Sequence, residues 1–207
     1  MPDYQAIYNH VVENNEKYSL AENSPGLRAV LRATDKLTVL SGRSLDLGCG
    51  VGFVVESLSR PPFQFNPFGV DVSDASVEKA RTRLKKFPNV KERVQTSSSM
   101  HLPFEDSSFA LVTCFDVLEH LDTPDIDATL KEIGRVLRPS GTFFGTLSCR
   151  ESGWNDLNGE NLHRTVKPVD WWIQRTQADQ VIYDRHLDQL TLWKQSPRES
   201  NSNATNL

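Results

Sequence analysis

The sequence LDLGCGVG at residues 45–52 decides the fold. It predicts a strand, a glycine-rich turn and a helix start, because a G-x-G-x-G pattern lets the backbone turn sharply and approach a ligand. About twenty residues later, GVDV at residues 69–72 predicts a second short strand that ends in an acid, a spacing that fits one β-α-β unit. An acid at that point can accept hydrogen bonds from ribose hydroxyls. The two segments together predict a site for a cofactor that carries a ribose.

Apolar periodicity divides the rest of the chain into helices and strands. Helices are predicted at 3–14, from 24, at 53–58, at 73–87, from 123 and from 168. Further strands are predicted at 90–94, 109–115, 142–147, 181–183 and 190–193, with a loop at 62–67 and a turn at 138–141. This alternation predicts an α/β fold with a doubly wound, mostly parallel seven-stranded sheet and helices on both faces. The last two strands are compatible with a hairpin, which makes the last strand antiparallel.

The length of 207 residues suits one domain with a full core. We expect a single domain over residues 1–195, with N-terminal helices at about 1–40 that form a lid over the cofactor. Residues 196–207 are polar and rich in Ser and Asn, which is typical of a disordered tail.

Composition excludes several classes of protein. No apolar run reaches membrane-spanning length, and the N-terminus lacks the pattern of a secretory signal. The net charge of −4 argues against a general nucleic-acid binder. The cysteines, Cys49, Cys114 and Cys149, are too far apart for a metal-binding cluster and predict reduced thiols in a cytoplasmic protein.

Five segments, in order, resemble the class I S-adenosylmethionine-dependent methyltransferases. The likeness covers about residues 42–147 and is strongest to the small-molecule branch typified by ubiquinone-biosynthesis O-methyltransferases. It is carried by LDLGCGVG (45–52), GVDV (69–72), LPFEDSSF (102–109), FDVLEHL (115–121) and RVLRPSG (135–141). The resemblance implies a Rossmann-like methyltransferase fold and S-adenosylmethionine as cofactor, with S-adenosylhomocysteine as product.

The resemblance also implies which residues bind that cofactor. The turn would pass under its amino-acid part, an acid would lie near its ammonium, and another acid would take both ribose hydroxyls. The implied residues are Asp46, Gly48, Cys49, Gly50, Asp71, Val72, Ser99, Met100, Phe115 and His120. The chain departs from many relatives at Ser98, where they place an acid for the adenine amino group, and a hydroxyl accepts that bond more weakly.

The residues after the fifth strand supply a candidate catalytic base. His163 could take a proton from an acceptor hydroxyl, as histidine side chains commonly do in catalysis, although a structural histidine is the alternative. Arg164 and Lys167 could hold a carboxylate or phosphate of a substrate. Trp154, Trp171 and Trp172 could line the pocket of an aromatic or sugar substrate, although core packing is more common for paired tryptophans.

Two residues leave more than one interpretation open. Asp116 could orient the substrate or cap a helix, and His120 could face the cofactor or be a buried structural histidine. The pair Glu119-His120 is not a zinc-protease signature, because the second histidine at helical spacing is missing. No metal is therefore predicted.

We interpret the chain as a methyltransferase that acts on oxygen or nitrogen of a small-molecule acceptor, as a monomer or homodimer. A non-catalytic S-adenosylmethionine-binding partner or regulatory protein with the same fold is the first alternative. A nicotinamide-dependent oxidoreductase is the second, because it could use the same glycine turn and Asp71. Against that second alternative, it gives no reason for the segments at 102–104 and 135–141.

Overall fold

A seven-stranded sheet forms the centre of the protein in a computed structural model that describes residues 2–32, 37 and 40–197. The strands are β1 (Ser41–Leu47), β2 (Gln64–Asp71), β3 (Val94–Thr96), β4 (Phe109–Phe115), β5 (Leu137–Ser148), β6 (Gln180–Asp184) and β7 (Gln189–Gln195). Their order is β3-β2-β1-β4-β5-β7-β6. Strands β1 to β5 are parallel, and β7 is antiparallel to both β5 and β6. The predicted mostly parallel sheet with an antiparallel last strand is confirmed.

Helices cover both faces of this sheet, as predicted. They are α1 (Tyr4–Asn14), α2 (Pro25–Arg32), α3 (Phe53–Leu58), α4 (Asp74–Arg83), α5 (Val90–Arg93), α6 (Thr123–Val136) and α7 (Val169–Thr176). One apolar cluster joins α2 and α3 to the sheet, and another joins α1, α6 and α7 to it. Strand β4 lies between the clusters and is buried along all seven residues, which is typical of a central parallel strand.

Three predicted elements are wrong, and each lies beside a proline or at a strand boundary. Residues 90–93 form a helix, and the third strand begins only at Val94. The predicted loop at 62–67 contains the start of β2, where Gln64 pairs with Ser41 at the first residue of each strand. The predicted turn at 138–141 belongs to β5, which absorbs a left-handed residue, Ser140, opposite a register shift in β4. In the last two cases a proline lies within a strand, whereas the sequence pattern predicts a loop or a turn there.

Helix α1 bridges the N-termini of two other helices above the carboxyl edge of the sheet. Asn9 Oδ1 accepts hydrogen bonds from Ser73 Oγ at 2.7 Å and from Ala75 N at 3.2 Å, at the start of α4. Tyr4 Oη donates to Asp125 Oδ2 at 2.8 Å and accepts from Asp122 N at 2.9 Å, at the start of α6. These contacts hold α1 beside the ends of the strands.

Two expectations reach beyond the described residues. Ten of the twelve residues of the predicted tail, 198–207, lie outside them, as do 33–36 and 38–39 of the predicted lid. Within the described part of the chain, no helix has the length and apolar character needed to cross a lipid bilayer.

Candidate cofactor and acceptor site

A cavity of about 630 Å³ lies at the carboxyl ends of β1, β2, β3 and β4, beneath the N-terminal helices. This is the edge where an α/β sheet binds ligands, near the point at which its strand order reverses. The structure brings together the predicted cofactor-binding residues and the candidate base His163, but not all of the predicted substrate contacts. Its wall includes Asp46, Gly48, Cys49, Gly50, Asp71, Val72, Ser99, Met100, Phe115, His120 and His163.

The glycine turn after β1 needs glycine for two different reasons. Gly48 has φ +67°, and a Cβ there would overlap Val117 Cγ2. Gly50 has φ +50°, but a Cβ there would meet no atom within 4 Å. Gly48 therefore allows the side chain of Val117 to pack against the turn, whereas Gly50 exposes its main-chain atoms to the cavity.

Asp71, at the end of β2, fastens this turn. Its Oδ2 accepts a hydrogen bond from Gly50 N at 2.8 Å, and its Oδ1 accepts one from Ser73 N at 2.9 Å. Burial raises the pKa of Asp71, and these two amides oppose that rise. Each carboxylate oxygen has a further lone pair, so the group can also accept hydrogen bonds from two ribose hydroxyls. The geometry fits the predicted role.

Asp46 lies deeper in the wall, near the end of β1. Its Oδ1 accepts a hydrogen bond from Thr113 Oγ1 at 2.6 Å. Burial raises the pKa of Asp46 to about 7, and the charge of Asp71 adds to the rise. A cation bound nearby would favour the ionised form, so the position suits a ligand ammonium.

The loop after β3 forms the side predicted to meet adenine. Ser99 Oγ hydrogen bonds with Thr129 Oγ1 at 2.8 Å, and Met100 N donates to Ser98 Oγ at 3.2 Å. The Ser98 hydroxyl therefore already accepts a bond within its own loop.

Glu132 and Arg135 of α6 clamp the continuation of this loop. Leu102 N donates to Glu132 Oε2 at 2.8 Å, and Arg135 Nη2 donates to Leu102 O at 3.1 Å. The hydrogen bond from Arg135 lowers the pKa of Glu132 from 4.5 to about 2. The arginine of the segment at 135–141 thus holds a cavity-lining loop in place.

Phe115 marks the centre of the cavity wall at the end of β4. Its ring packs edge-to-face on Phe144, with 5.0 Å between centroids. Helix α2 lies directly against it, since a Cβ on Gly26 would come within 2.6 Å of the Phe115 ring. The role of Gly26 was not predicted, because a glycine just after a proline reads as part of a helix start.

Two histidines meet on the acceptor side of the cavity. His120 Nδ1 donates to Leu162 O at 3.0 Å, His163 Nδ1 donates to Arg150 O at 2.6 Å, and the two ring centroids lie 4.7 Å apart. Because a carbonyl only accepts, each Nε2 keeps its lone pair. Burial lowers the pKa of His120 to about 3, so this ring is neutral. The more accessible His163 is the better candidate base.

Two other predicted substrate contacts are wrong. Arg164 is occupied by the carboxylates of Asp122 at 2.9 Å and Glu160 at 2.9 Å, with Asp156 at 3.5 Å. Its guanidinium group is already paired with these carboxylates and is not available to bind the anion of a substrate. Trp172 is fully buried in the core, which was the more common alternative for that pair.

Asp116 and three tyrosines extend the list of wall residues. Asp116 has φ +51°, and its Oδ1 accepts hydrogen bonds from Thr146 Oγ1 at 2.6 Å and Gln189 Nε2 at 3.1 Å. It caps no described helix, so the capping alternative is wrong.

The tyrosines of the N-terminal segment also line the cavity, namely Tyr4, Tyr8 and Tyr18. The helical spacing of these three tyrosines in the sequence is equally compatible with a place in the cavity wall, in the core or on the surface.

The fold and the site together define a Rossmann-like nucleoside-binding domain with an added antiparallel hairpin. Residues 45–141 match a family model described as a methyltransferase domain. The mitochondrial ubiquinone biosynthesis O-methyltransferase of Candida albicans is 37% identical over 125 residues, which cover 59% of this chain and 38% of that protein. The chain spans about two fifths of the length of the first curated relatives it matches.

Solved structures show the same fold. The methyltransferase in complex with the Trm112 methyltransferase activator of Haloferax volcanii superposes with a TM-score of 0.71, at 17% identity, over 92% of this chain and 98% of that one. Phosphoethanolamine N-methyltransferase 2 of Haemonchus contortus, solved with S-adenosyl-L-methionine, gives a TM-score of 0.65 at 21% identity over 84% of this chain and 43% of that one.

Residues 45–141 therefore form a methyltransferase domain, and the curated relatives support the class I S-adenosylmethionine-dependent methyltransferase family. The predicted family, fold and cofactor are therefore confirmed. These matches give no support to the nicotinamide alternative.

Proposed function

We propose that this protein transfers a methyl group from S-adenosylmethionine to oxygen or nitrogen of a small-molecule acceptor. The cavity carries the proposal, because one space joins the turn fastened by Asp71 to the histidines of the acceptor side. S-adenosylmethionine supplies an activated methyl group on a sulfonium. The protein's main task is then to hold a nucleophile in line with the methyl-sulfur bond.

Each part of the cavity has a proposed role in this reaction. Asp71 accepts the ribose hydroxyls, Asp46 pairs with the ammonium, and the bare backbone at Gly50 passes under the amino-acid part. On the opposite side, His163 Nε2 can take the proton of an acceptor hydroxyl.

We also propose that residues 1–195 act as one domain in which the N-terminal helices form a lid. Support comes from Tyr8 of α1, which lines the cavity and packs edge-to-face on His120 with 5.7 Å between ring centroids. The contacts of α1 with α4 and α6 fix it in that place.

Calorimetric titration with S-adenosylhomocysteine tests the cofactor assignment. Asp71→Ala should weaken binding by about 1–3 kcal/mol, because hydrogen bonds to a charged acceptor are lost. Asp74→Ala is the matched control, since that carboxylate lies three residues away and bonds only to Gln5 and Thr96 side chains in the described chain. Equal affinity of wild type and a folded Asp71→Ala variant would refute the ribose assignment.

A further inference from the structure

The wall of the acceptor side contains three metal-ligand groups from two separate segments. Glu119 and His120 follow β4, and His163 comes from the loop after β5. One ligand atom of each residue lies within 4.8 Å of those of the other two. The second histidine, absent at helical spacing in the sequence, is thus supplied by tertiary structure.

Glu119 is the least expected member of this cluster. It is fully buried, its Oε1 accepts a hydrogen bond from Ser148 N at 2.7 Å, and its Oε2 has no partner among the described residues. A buried carboxylate oxygen without a donor is costly. A cation beside Oε2 would satisfy it.

The two histidines are oriented as metal ligands usually are. The Nδ1 of each ring donates to a backbone carbonyl, at Leu162 for His120 and at Arg150 for His163. Such bonds fix the tautomer and leave the Nε2 lone pair available for a metal. The loop is held close, because Thr165 N donates to Glu119 O at 3.0 Å.

We propose that Glu119, His120 and His163 bind a divalent transition-metal ion of the zinc class at the wall of the acceptor side. Two imidazoles and one carboxylate are a known donor set for catalytic zinc, with a further position open to water or substrate. Ligand atoms around tetrahedral zinc lie about 3.3 Å apart, so binding draws the side chains inward by rotation of the partly exposed His163. His120 and His163 line the cavity, with Glu119 behind them.

The role of the ion rests on the proposed methyl transfer, although its binding does not. With the ion bound, the Nε2 lone pair of His163 would be used for coordination, so the ion would replace this histidine in activating the acceptor. A hydroxyl of the acceptor that binds the open position would lose its proton to water more easily, because the ion stabilises the alkoxide or phenolate. This favours an oxygen acceptor over a nitrogen one.

Zinc binding to the reduced protein, measured by competition with a chromophoric chelator, tests the site. Wild type should bind one Zn²⁺ per chain, and His163→Ala and Glu119→Gln should each weaken binding at least about 100-fold, as loss of a direct ligand requires. Cys149→Ser and His186→Ala are the controls, because they remove the most accessible cysteine and an exposed histidine elsewhere. Both should bind like wild type.

Two results would overturn the proposal: no stoichiometric zinc binding by wild type, or equal binding by wild type and a folded His163→Ala variant. Titration of the same preparations with S-adenosylhomocysteine keeps this outcome separate from the proposed function. Zinc binding without nucleoside binding refutes the methyl transfer alone, whereas the reverse refutes the metal site alone.

Discussion

The two sides of the cavity are built differently. At the ends of β1 and β2, which we call the backbone side, main-chain groups form most of the wall. At the ends of β4 and β5, which is the acceptor side, side chains from distant segments form it. On the first side, a continuous glycine turn is tied to one carboxylate by its own amides. On the second, His120 and His163 come from segments 43 residues apart and meet only in the folded chain. The first side is therefore fixed by local sequence and the second by tertiary packing.

The largest expected effect separates two glycines of the backbone side. Gly48→Ala should lower the free energy of unfolding by about 3 kcal/mol, from left-handed strain and overlap with Val117. Gly50→Ala should cost only about 1 kcal/mol, since its Cβ meets open space, but should weaken S-adenosylhomocysteine binding. Chemical denaturation and calorimetry measure the two effects. If both variants lost the same stability, the assignment of Gly48 to internal packing and of Gly50 to ligand approach would be contradicted.

A smaller effect tests the clamp on the loop predicted to meet adenine. Glu132→Gln should lower the free energy of unfolding at pH 7 by about 1 kcal/mol. Because the folded pKa lies below the unfolded one, this stabilisation is present above about pH 4.5 and disappears as pH falls towards 2. Denaturation curves across that range should converge for wild type and variant. Glu105→Gln, an exposed change in the same loop, should have little effect at any pH.

Proton release probes the ammonium position on the backbone side. Asp46, with a pKa of about 7, is largely protonated at pH 6.5, and a ligand ammonium beside it should expel that proton. Calorimetry of S-adenosylhomocysteine binding at pH 6.5 in two buffers of different ionisation enthalpy should show a fractional release. Asp46→Asn should abolish it, and buffer-independent heats for wild type would place the ammonium elsewhere.

A change on the acceptor side sharpens the contrast between the two sides. His163→Ala should leave S-adenosylhomocysteine affinity within about twofold while slowing methyl transfer by about 10²-fold, because the residue activates the acceptor hydroxyl either as a general base or as a ligand of the proposed ion. A large loss of affinity would mean that the two sides are not separate.

The sequence predicted the backbone side better than the side built by side chains. A glycine at positive φ and an acid at a strand end leave a local signature, so Gly48, Gly50 and Asp71 could be placed before the structure was known. The contact of Gly26 with Phe115 is only a close approach of two elements, and the proximity of Glu119 to His163 depends on how a loop folds back. Neither leaves a periodic pattern in the chain.

The carboxylate of Asp71 also has an energetic consequence. Its two amide partners belong to the chain itself, so this part of the site is held by hydrogen bonds that need no nucleoside. A ligand that finds its contacts preorganised loses less of its binding free energy to conformational entropy. Affinity for the nucleoside should therefore depend on how rigidly β1 and β2 are joined as well as on the contacts themselves.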